Sequence, residues 1–372
     1  MQILVREMKP DEREEVKKLF KRSLNLTDKV IFQISFNETQ KSAKRQSGGT
    51  LIAELDGKIV GAVSTRIQIL KGMRTGFIDA LVTDKELRGR GIGKSLVDGA
   101  ISWLEEHGCK CIYATADRYN SPSWNIFIHR GFYLYETPFQ LKDYRLSFLR
   151  LWLMELYFIG FGTFFLRRCK DQRKPCEIDG AWHLLAALLG VSMVWWIQII
   201  RGQGSLVFIP ALTIMASTCI LVHELPQKVV ARKLGLETTF KAWGSGILFS
   251  WLLALLGVFF PAYGSIYVKQ IDYWYNPRED RTGIIFAMGP LSSLALGLAL
   301  WIVRVLTYGG LIAESARVGF ITSLSFAILN LIPIRAAGGF VWDGKKILLW
   351  KKTVWAALVV ATITLIALYV LS

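Results

Sequence analysis

The feature that most constrains this chain is a series of long apolar segments, separated by short polar links, that begins near Ala181 and continues to Ser372. A helix needs roughly 20 apolar residues to cross the core of a bilayer, and these segments reach about that length. Backbone N–H and C=O groups find no water there, so each segment must form a helix. We therefore predict an all-α polytopic transmembrane domain with roughly six spans, at residues 182–200, 205–224, 246–267, 283–307, 314–334 and 353–372.

The residues up to Tyr144 have a different composition, in which charged and apolar residues are mixed and no apolar run is long enough to cross a bilayer. Short apolar strands alternate with amphipathic helices, and Asp56-Gly57 marks the turn of a β-hairpin. This order predicts an α+β fold over residues 1–145, with a mixed sheet and flanking helices.

The segment 146–180 lies between these two parts. Its apolar stretch, 146–166, carries Arg150 and Glu155 and has basic residues at both ends. It could be a last strand of the soluble sheet, an interfacial helix or a first span, and the basic flanks favour an interfacial or shallow helix. The expected division is a soluble domain over 1–145, a basic linker or interfacial helix over 146–180 and a membrane domain over 181–372.

The formal net charge of +16 could indicate nucleic-acid binding, but basic residues cluster beside the apolar segments, as at Lys228, Arg232 and Lys233. The excess of Lys and Arg on the cytoplasmic side of membrane helices explains this pattern more simply. We expect a lipid bilayer around the second part and no nucleic acid as a partner.

The N-terminal residues, MQILVREMKPDEREE, are charged and contain no apolar signal region, which predicts that the first domain stays in the cytoplasm. The chain has five cysteines without CxxC pairs or the regular spacing of a disulfide framework. A reducing compartment is therefore expected for the soluble part.

A glycine-rich turn follows the strand that ends at Leu81, Val82 and Thr83, and it opens an amphipathic helix. Glycines at such a turn let backbone N–H groups approach a pyrophosphate, and the helix N-terminus favours its negative charge. A phosphate loop of the GxxxxGK[ST] type needs a longer turn. The residues of the turn are Arg88, Gly89, Arg90, Gly91, Ile92, Gly93, Lys94 and Ser95.

This turn resembles the pyrophosphate loop of the GNAT acetyltransferase family, which has the form [RQ]xxGx[GA]. A second landmark of that family is similar to Asn120, Ser123 and the run Ile126–Phe132. The resemblance covers about 140 residues and implies acetyl-CoA as cofactor, held by residues 81–83 and 88–95 with Asn120 and Phe127, and an amine as acetyl acceptor.

The same resemblance implies catalytic positions. Asp79, nine residues before Arg88, stands where the family often carries an acidic base on the strand. Phe127, four residues before Gly131, stands where the family often has a tyrosine that protonates the leaving thiolate. Phenylalanine cannot donate a proton, so that general acid is absent from its usual place.

The apolar half contains ionisable residues, which are costly inside a membrane and indicate a functional site. His223 and Glu224 lie near the end of one apolar segment, and Asn330 leads through Pro333 to Asp343-Gly344. This pair of motifs resembles the site-2 protease family of intramembrane zinc metalloproteases. The resemblance implies His223 and Asp343 as metal ligands and Glu224 as the catalytic base that activates a water.

Several residues depart from that family pattern. Gln227 stands in place of the second zinc-binding histidine, and an amide oxygen is a poor zinc ligand. Pro226 interrupts the helix motif, Ser293 replaces a common asparagine, and Asp343 lies thirteen residues after Asn330, beyond the spacing of the family motif NxxPxxxxDG. The sequence predicts a degenerate site, a pseudoprotease with doubtful zinc binding. His183 could supply a ligand, but a histidine beside a tryptophan is more typical of a membrane interface.

Three functions remain open on this basis. The leading hypothesis is a membrane-anchored N-acetyltransferase that transfers an acetyl group from acetyl-CoA to an amine. One alternative is an active intramembrane metallopeptidase regulated by an acetyl-CoA-binding domain. The other is a non-enzymatic membrane adaptor in which both sites are degenerate, a reading that rests on Phe127 and Gln227.

Overall fold

A computed structural model describes most of the chain, and the chain divides into two compact units. The first unit holds the N-terminal residues through Glu177 apart from a short segment, and the second holds most of the residues from Ile178 onward. The described residues are 3–24, 33, 36–37, 39, 47–118, 120–155, 157, 162–170, 174–203, 205–268, 280–333 and 342–372.

A seven-stranded mixed sheet forms the centre of the first unit, in the order β1-β2-β3-β4-β5-β7-β6. Among these pairs, β4 and β5 are parallel and the others are antiparallel. Asp56 and Gly57 both have positive φ and close the β2–β3 hairpin, as the sequence predicts. The strands are β1 Leu4–Glu7, β2 Gly48–Leu55, β3 Lys58–Leu70, β4 Met73–Thr83, β5 Cys111–Asp117, β6 Tyr133–Leu134 and β7 Thr163–Cys169.

Helices cover this sheet, and the longest of them, α2, connects the parallel strands β4 and β5. It buries an apolar stripe that includes Leu96, Ala100 and Leu104, spaced by four residues as one face of a helix requires. The predicted α+β fold is confirmed. The helices are α1 Arg13–Ser23, α2 Ile92–Glu106, α3 Ser121–Ile128, α4 Thr137–Tyr144 and α5 Phe148–Met154.

The segment 146–166 is not one interfacial helix, and the soluble fold does not end at residue 145. Its beginning contains the short helix α5, and its end enters β7, which pairs with both β5 and β6. Phe164, Phe165 and Leu166 are buried in the first unit, which explains why the stretch is so apolar. Of the three interpretations of residues 146–166, a last strand of the soluble sheet is therefore correct for the C-terminal end of the segment.

Strands β5 and β7 also carry a disulfide, between Cys111 and Cys169. The two cysteines are opposite each other in the antiparallel register, although 58 positions separate them in sequence. The cysteine spacing did not predict this bond, because only the pairing of the strands brings the sulfur atoms together, and the bond disagrees with the reducing compartment expected from that spacing.

The second unit is dominated by helices, and five of those in the described residues are long and apolar enough to span a membrane: Gly180–Gly202, Leu206–Lys233, Thr282–Leu306, Gly310–Leu331 and Lys352–Leu371. Their α-helical parts are α6 Gly180–Gln198, α7 Ile209–Lys233, α9 Asp280–Leu306, α10 Gly310–Leu331 and α12 Lys352–Leu371, and the shorter helices are α8 Gly244–Leu255 and α11 Asp343–Trp350.

The predicted span 246–267 is wrong. Helix α8 has only 12 residues, and Gly257 follows it with a positive φ that ends the helix. The chain then forms strand β9, Gly264–Val268, which pairs antiparallel with β8, Thr238–Ala242. The predicted span therefore divides into a helix of 12 residues and one strand of a two-stranded antiparallel sheet.

Candidate functional sites

The first candidate site is the place where the parallel strands β4 and β5 separate. Their register runs from Thr75 opposite Cys111 to Ile78 opposite Ala114. Beyond this point β4 continues along β3 to Thr83, and β5 continues along β7 to Asp117. In the described ladder, the residues of β4 after Ile78 therefore pair with β3 on one side and face a gap between β4 and β5 on the other.

Asp79 lies where this separation begins. The register of β3 with β4 passes from Thr65 opposite Ile78 to Ser64 opposite Ala80, so Asp79 is the extra residue of a β-bulge. Bulges bend a strand and redirect its side chains, and they are common next to active sites. The structure thus gives Asp79 a special backbone position, which the sequence alone did not indicate.

The carboxylate of Asp79 is held by an arginine. Arg66 on β3 donates through Nε and Nη2 to the two oxygen atoms of Asp79, with 2.7 Å between Nη2 and Oδ1. The same Nη2 donates to Oε1 of Glu155 at 3.0 Å and to the carbonyl oxygen of Met154 at 3.2 Å. Two carboxyl groups, each with a side chain only 3% exposed, therefore share one guanidinium.

Glu155 is a residue that the sequence analysis missed, because it lies in the ambiguous stretch after α5. Burial and the negative charge of Asp79 raise the pKa of Glu155 to about 8, against the attraction of Arg66. Near neutral pH, Glu155 can therefore hold a proton. Its position as a charged residue inside an apolar segment was the available signal.

Replacing Glu155 by Gln should change how stability depends on pH. A carboxyl group whose pKa rises from 4.5 to about 8 on folding binds a proton more tightly in the folded protein, so its contribution is present at low pH and is lost as pH rises through this window. Gln cannot titrate and still accepts from Arg66. We expect Glu155→Gln and wild type to have the same melting temperature at about pH 5. At about pH 8, the melting temperature of Glu155→Gln should be about 3–6 °C higher.

Thermal unfolding of the two full-length proteins in the same detergent, at several pH values, measures this difference. Glu54→Gln, which removes a carboxylate that is 24% exposed and bonded to Arg6, is the matched control. A constant difference between Glu155→Gln and wild type across the pH range would contradict the assignment.

The glycine turn lies between β4 and α2. Gly89 and Gly91 have φ values of 79° and 86°, which glycine adopts without strain. Gly91 is the N-cap of α2 and provides no side-chain cap, so the first N–H groups of the helix remain available to an anion. A Cβ atom at either glycine would meet no atom of the described protein within 4 Å, so the turn faces open space.

The other predicted acetyl-CoA contacts have structural roles in the described protein. Arg88 donates to the carbonyl oxygen of Ser23 at the end of α1, at 3.2 Å. Asn120 accepts from the backbone N–H of Ser123 at 3.2 Å and caps α3. Phe127 is buried and contacts Phe132 edge to face. Leu81, Val82 and Thr83 form the end of β4, beside the gap in the sheet.

The second candidate site lies in the helical unit, on α7. This helix continues through Pro226, so His223 and Gln227 stand one turn apart on the same face, both 1% exposed. The Nδ1 atom of His223 lies 2.8 Å from the Oγ atom of Ser293 on α9, and its Nε2 atom lies 3.3 Å from Nε2 of Gln227.

Gly289 on α9 permits this close approach of the two helices. A Cβ atom at Gly289 would lie 2.1 Å from Nε2 of Gln227 and 2.6 Å from Nε2 of His223. Neither buried side chain is free to move away, so only glycine fits. Gly289 therefore belongs to the site, at the contact between α7 and α9.

Asp343 is the first residue of α11, and the loop that leads to it from Pro333 is outside the described residues. Lys346, one turn later, donates from Nζ to Oδ1 of Asp343 at 2.9 Å, and both side chains are almost fully buried. The Gln227 side chain lies near Asp343, whose Oδ2 atom has no hydrogen-bond partner in the described protein. The structure thus unites His223, Gln227 and Asp343, and adds Lys346, which the sequence analysis did not identify.

Glu224 lies beside this group and is also buried. It accepts a hydrogen bond from the hydroxyl group of Tyr263, at 2.9 Å from Oε1. Tyr263 directly precedes β9, and no local signal in the sequence marks it as a neighbour of α7. His183, the possible substitute ligand, has its Nε2 atom 3.3 Å from Nζ of Lys241.

These residues do not fit a zinc ion. Zinc takes imidazole, thiolate or carboxylate ligands, whereas Gln227 presents an amide and Asp343 is bonded to an ammonium group. In the part of the chain that the structure describes, no group of three or more His, Cys, Asp and Glu side chains is arranged to hold a metal.

The fold and the sites define a two-part protein, an acyltransferase-like α+β domain joined to an apolar helical domain with a protease-like motif. Residues 13–132 match the family model Acetyltransferase (GNAT) family, so the chain carries a GNAT acetyltransferase domain. The chain is also 35% identical, over 153 residues, to a protein of Methanocaldococcus jannaschii provisionally named as a zinc metalloprotease. That match spans 41% of this chain and 75% of the relative, and the chain belongs to the family of this relative.

Solved structures similar to this chain include two acetyltransferases. One is the PaiA N-acetyltransferase from Thermoplasma acidophilum in complex with coenzyme A, which is 15% identical with a TM-score of 0.34 and matches 45% of this chain and 99% of that one. The other is a ribosomal-protein-alanine N-acetyltransferase from Brucella melitensis, which is 16% identical with a TM-score of 0.33 and matches 45% and 99%.

Proposed function

We propose that the protein is a membrane-anchored N-acetyltransferase that transfers the acetyl group of acetyl-CoA to an amine presented near the bilayer. The observation that carries this proposal is the separation of β4 from β5 directly beside the glycine turn. The GNAT family match and the five long apolar helices support its two halves.

The gap in the sheet and the glycine turn suit different parts of acetyl-CoA. The free N–H groups at the start of α2 would bind the pyrophosphate, and the positive end of the helix dipole would stabilise its charge. The backbone groups of β4 beyond Ile78, which have no β5 partner in the described ladder, would pair with the amide groups of the pantetheine arm. This arrangement would bring the thioester to the region of Asp79.

In the transfer, the nitrogen atom of the amine attacks the thioester carbonyl carbon, the C–S bond breaks, and the products are an N-acetyl amide and the CoA thiol. The amine must lose one proton, and we assign its acceptance to Glu155, directly or through a water. Asp79 has both oxygen atoms bonded to Arg66, and it orients that guanidinium toward Glu155. Phe127 cannot protonate the thiolate, so that proton comes from solvent.

The distribution of charge supports a cytoplasmic position for the acetyltransferase domain. If the five long helices alternate across the bilayer, the polar ends that share a side with Lys174 carry Lys228, Arg232, Lys233, Lys345, Lys351 and Lys352. The opposite ends carry fewer basic residues, among them Arg201 and Arg304. Lys and Arg are enriched on the cytoplasmic side, and this order would place the C-terminus on the other side.

The function is tested with the purified full-length protein in detergent or nanodiscs. Acetyl-CoA is offered with peptides that have a free α-amine, with lysine side chains, with polyamines and with vesicles that contain an aminophospholipid, and acetylated product is detected by mass spectrometry. We expect one class of amine to be acetylated and Glu155→Gln to lower kcat more than KM. If no amine is acetylated and acetyl-CoA does not bind, the proposal is rejected.

A further inference from the structure

The contacts of His223 account for both of its ring nitrogens. The Nδ1 atom is 2.8 Å from the hydroxyl oxygen of Ser293, and the Nε2 atom is 3.3 Å from the amide nitrogen of Gln227. In the assigned orientation of the amide, its nitrogen donates to Nε2, which places the ring proton on Nδ1, directed at Ser293. The lone pair with which His223 would bind a metal is therefore used by Gln227.

The carboxylate of Asp343 is also used within the protein. Its Oδ1 atom accepts from Nζ of Lys346 at 2.9 Å, whereas its Oδ2 atom has no hydrogen-bond partner in the described protein. The amide group of Gln227 occupies the helix position from which a second imidazole would face a metal, and it contacts His223. Lys346, which also lies 3.8 Å from the centroid of the Phe286 ring, supplies the positive charge.

We propose that this cluster is a metal-free derivative of a zinc site, in which the Gln227 amide takes the place of a ligand beside His223 and the Lys346 ammonium group replaces the charge of the ion. Two substitutions, Gln227→His and Lys346→Met, convert it into a zinc site. The first supplies the missing imidazole one turn after His223, and the second frees Asp343.

Neither substitution is sufficient alone. With Gln227→His, three ligands are present, but the ion must enter beside a buried ammonium group, and two like charges in a medium of low dielectric constant repel strongly. With Lys346→Met, Asp343 is free, but one ligand is still an amide, which binds zinc poorly. Methionine is chosen because it is unbranched and fills much of the volume of the lysine stem.

The test measures the zinc content of the full-length protein by elemental mass spectrometry. The protein is purified in detergent and dialysed first against buffer with zinc and then against zinc-free buffer. The variants are wild type, the two single substitutions and Gln227→His/Lys346→Met. The matched control is Gln227→His/Lys345→Met, which removes the neighbouring, half-buried lysine instead. We expect about one zinc per chain only in Gln227→His/Lys346→Met, and loss of that zinc when His223→Ala is added.

Thermal unfolding provides a second measurement, because a ligand that binds only the folded protein raises its melting temperature. Zinc should raise the melting temperature of Gln227→His/Lys346→Met and leave that of wild type unchanged. If the variant with methionine does not fold, Lys346→Gln replaces it, since Gln keeps an N–H donor for Asp343.

Three results would overturn the proposal. Wild-type protein that carries about one zinc, lost with His223→Ala, would show that the amide does not prevent binding. Equal zinc content in the Lys345 control and the Lys346 variant would remove the role of Lys346. A folded Gln227→His/Lys346→Met protein without zinc would show that the ligands are not in place.

Discussion

Gly91→Asp should raise the Kd for acetyl-CoA about 100-fold or more, which corresponds to about 3 kcal/mol of binding free energy. Gly91 is the N-cap of α2 and has a φ of 86°, a conformation that Asp and Asn tolerate better than other residues with a side chain. An aspartate there would cap the helix with its own carboxylate. It would place a negative charge where the pyrophosphate has to bind.

Gly91→Asn is the matched control, because it has the same shape, tolerates the same backbone and caps the same N–H groups, but carries no charge. We expect it to weaken acetyl-CoA binding about tenfold, through competition for the N–H groups alone. The measurement is titration calorimetry of the full-length proteins in detergent. Equal affinity of Gly91→Asp and wild type would show that acetyl-CoA does not use this helix terminus.

Asp343→Asn should destabilise the helical unit by about 3–5 kcal/mol, because it leaves the Lys346 ammonium group buried without its carboxylate. Lys346→Met should have a similar effect, since it leaves the carboxylate buried without its cation. Both side chains are almost fully buried, at 0% and 2% exposure, so water cannot replace the lost partner. The effect should exceed that of any exposed ion pair in this protein.

The double variant Asp343→Asn/Lys346→Met should recover most of the lost stability, because it removes both charges together. Denaturation of the full-length protein in detergent, followed by tryptophan fluorescence, gives the four free energies of this cycle. Lys345→Met is the control for loss of a lysine on the same helix and should change stability little. Additive effects of the two single substitutions would show that the buried pair is not coupled.

Some of the protease-like site could be predicted from the sequence. The spacing of His223 and Gln227 places both on one helix face whatever the surroundings, and the ionisable residues in apolar segments mark the site. The partners of these residues could not be predicted in the same way. Ser293 and Tyr263 reach α7 only because α9 and the segment before β9 pack against it.

The acetyltransferase site shows the same limit. The glycine turn was found because its function depends on consecutive residues. Asp79 was found from its distance to that turn, but the β-bulge, Arg66 and Glu155 were not, since these depend on the register of β3 with β4 and on where α5 ends. The apolar run that contains β7 was placed in the linker, because a buried strand and an interfacial helix have similar composition.

The sequence by itself determined the division into a soluble α+β part and an apolar helical part, the turn that opens α2, and the loss of the second zinc-binding histidine. These features follow from composition and from residues close together in the chain, whose geometry is fixed by the helix and strand periods. Only the tertiary structure decided which distant groups meet, as Asp79 and Glu155 do on Arg66 and as His223 does with Ser293. Desolvation makes a buried charge depend on its partners, and packing of distant segments determines those partners.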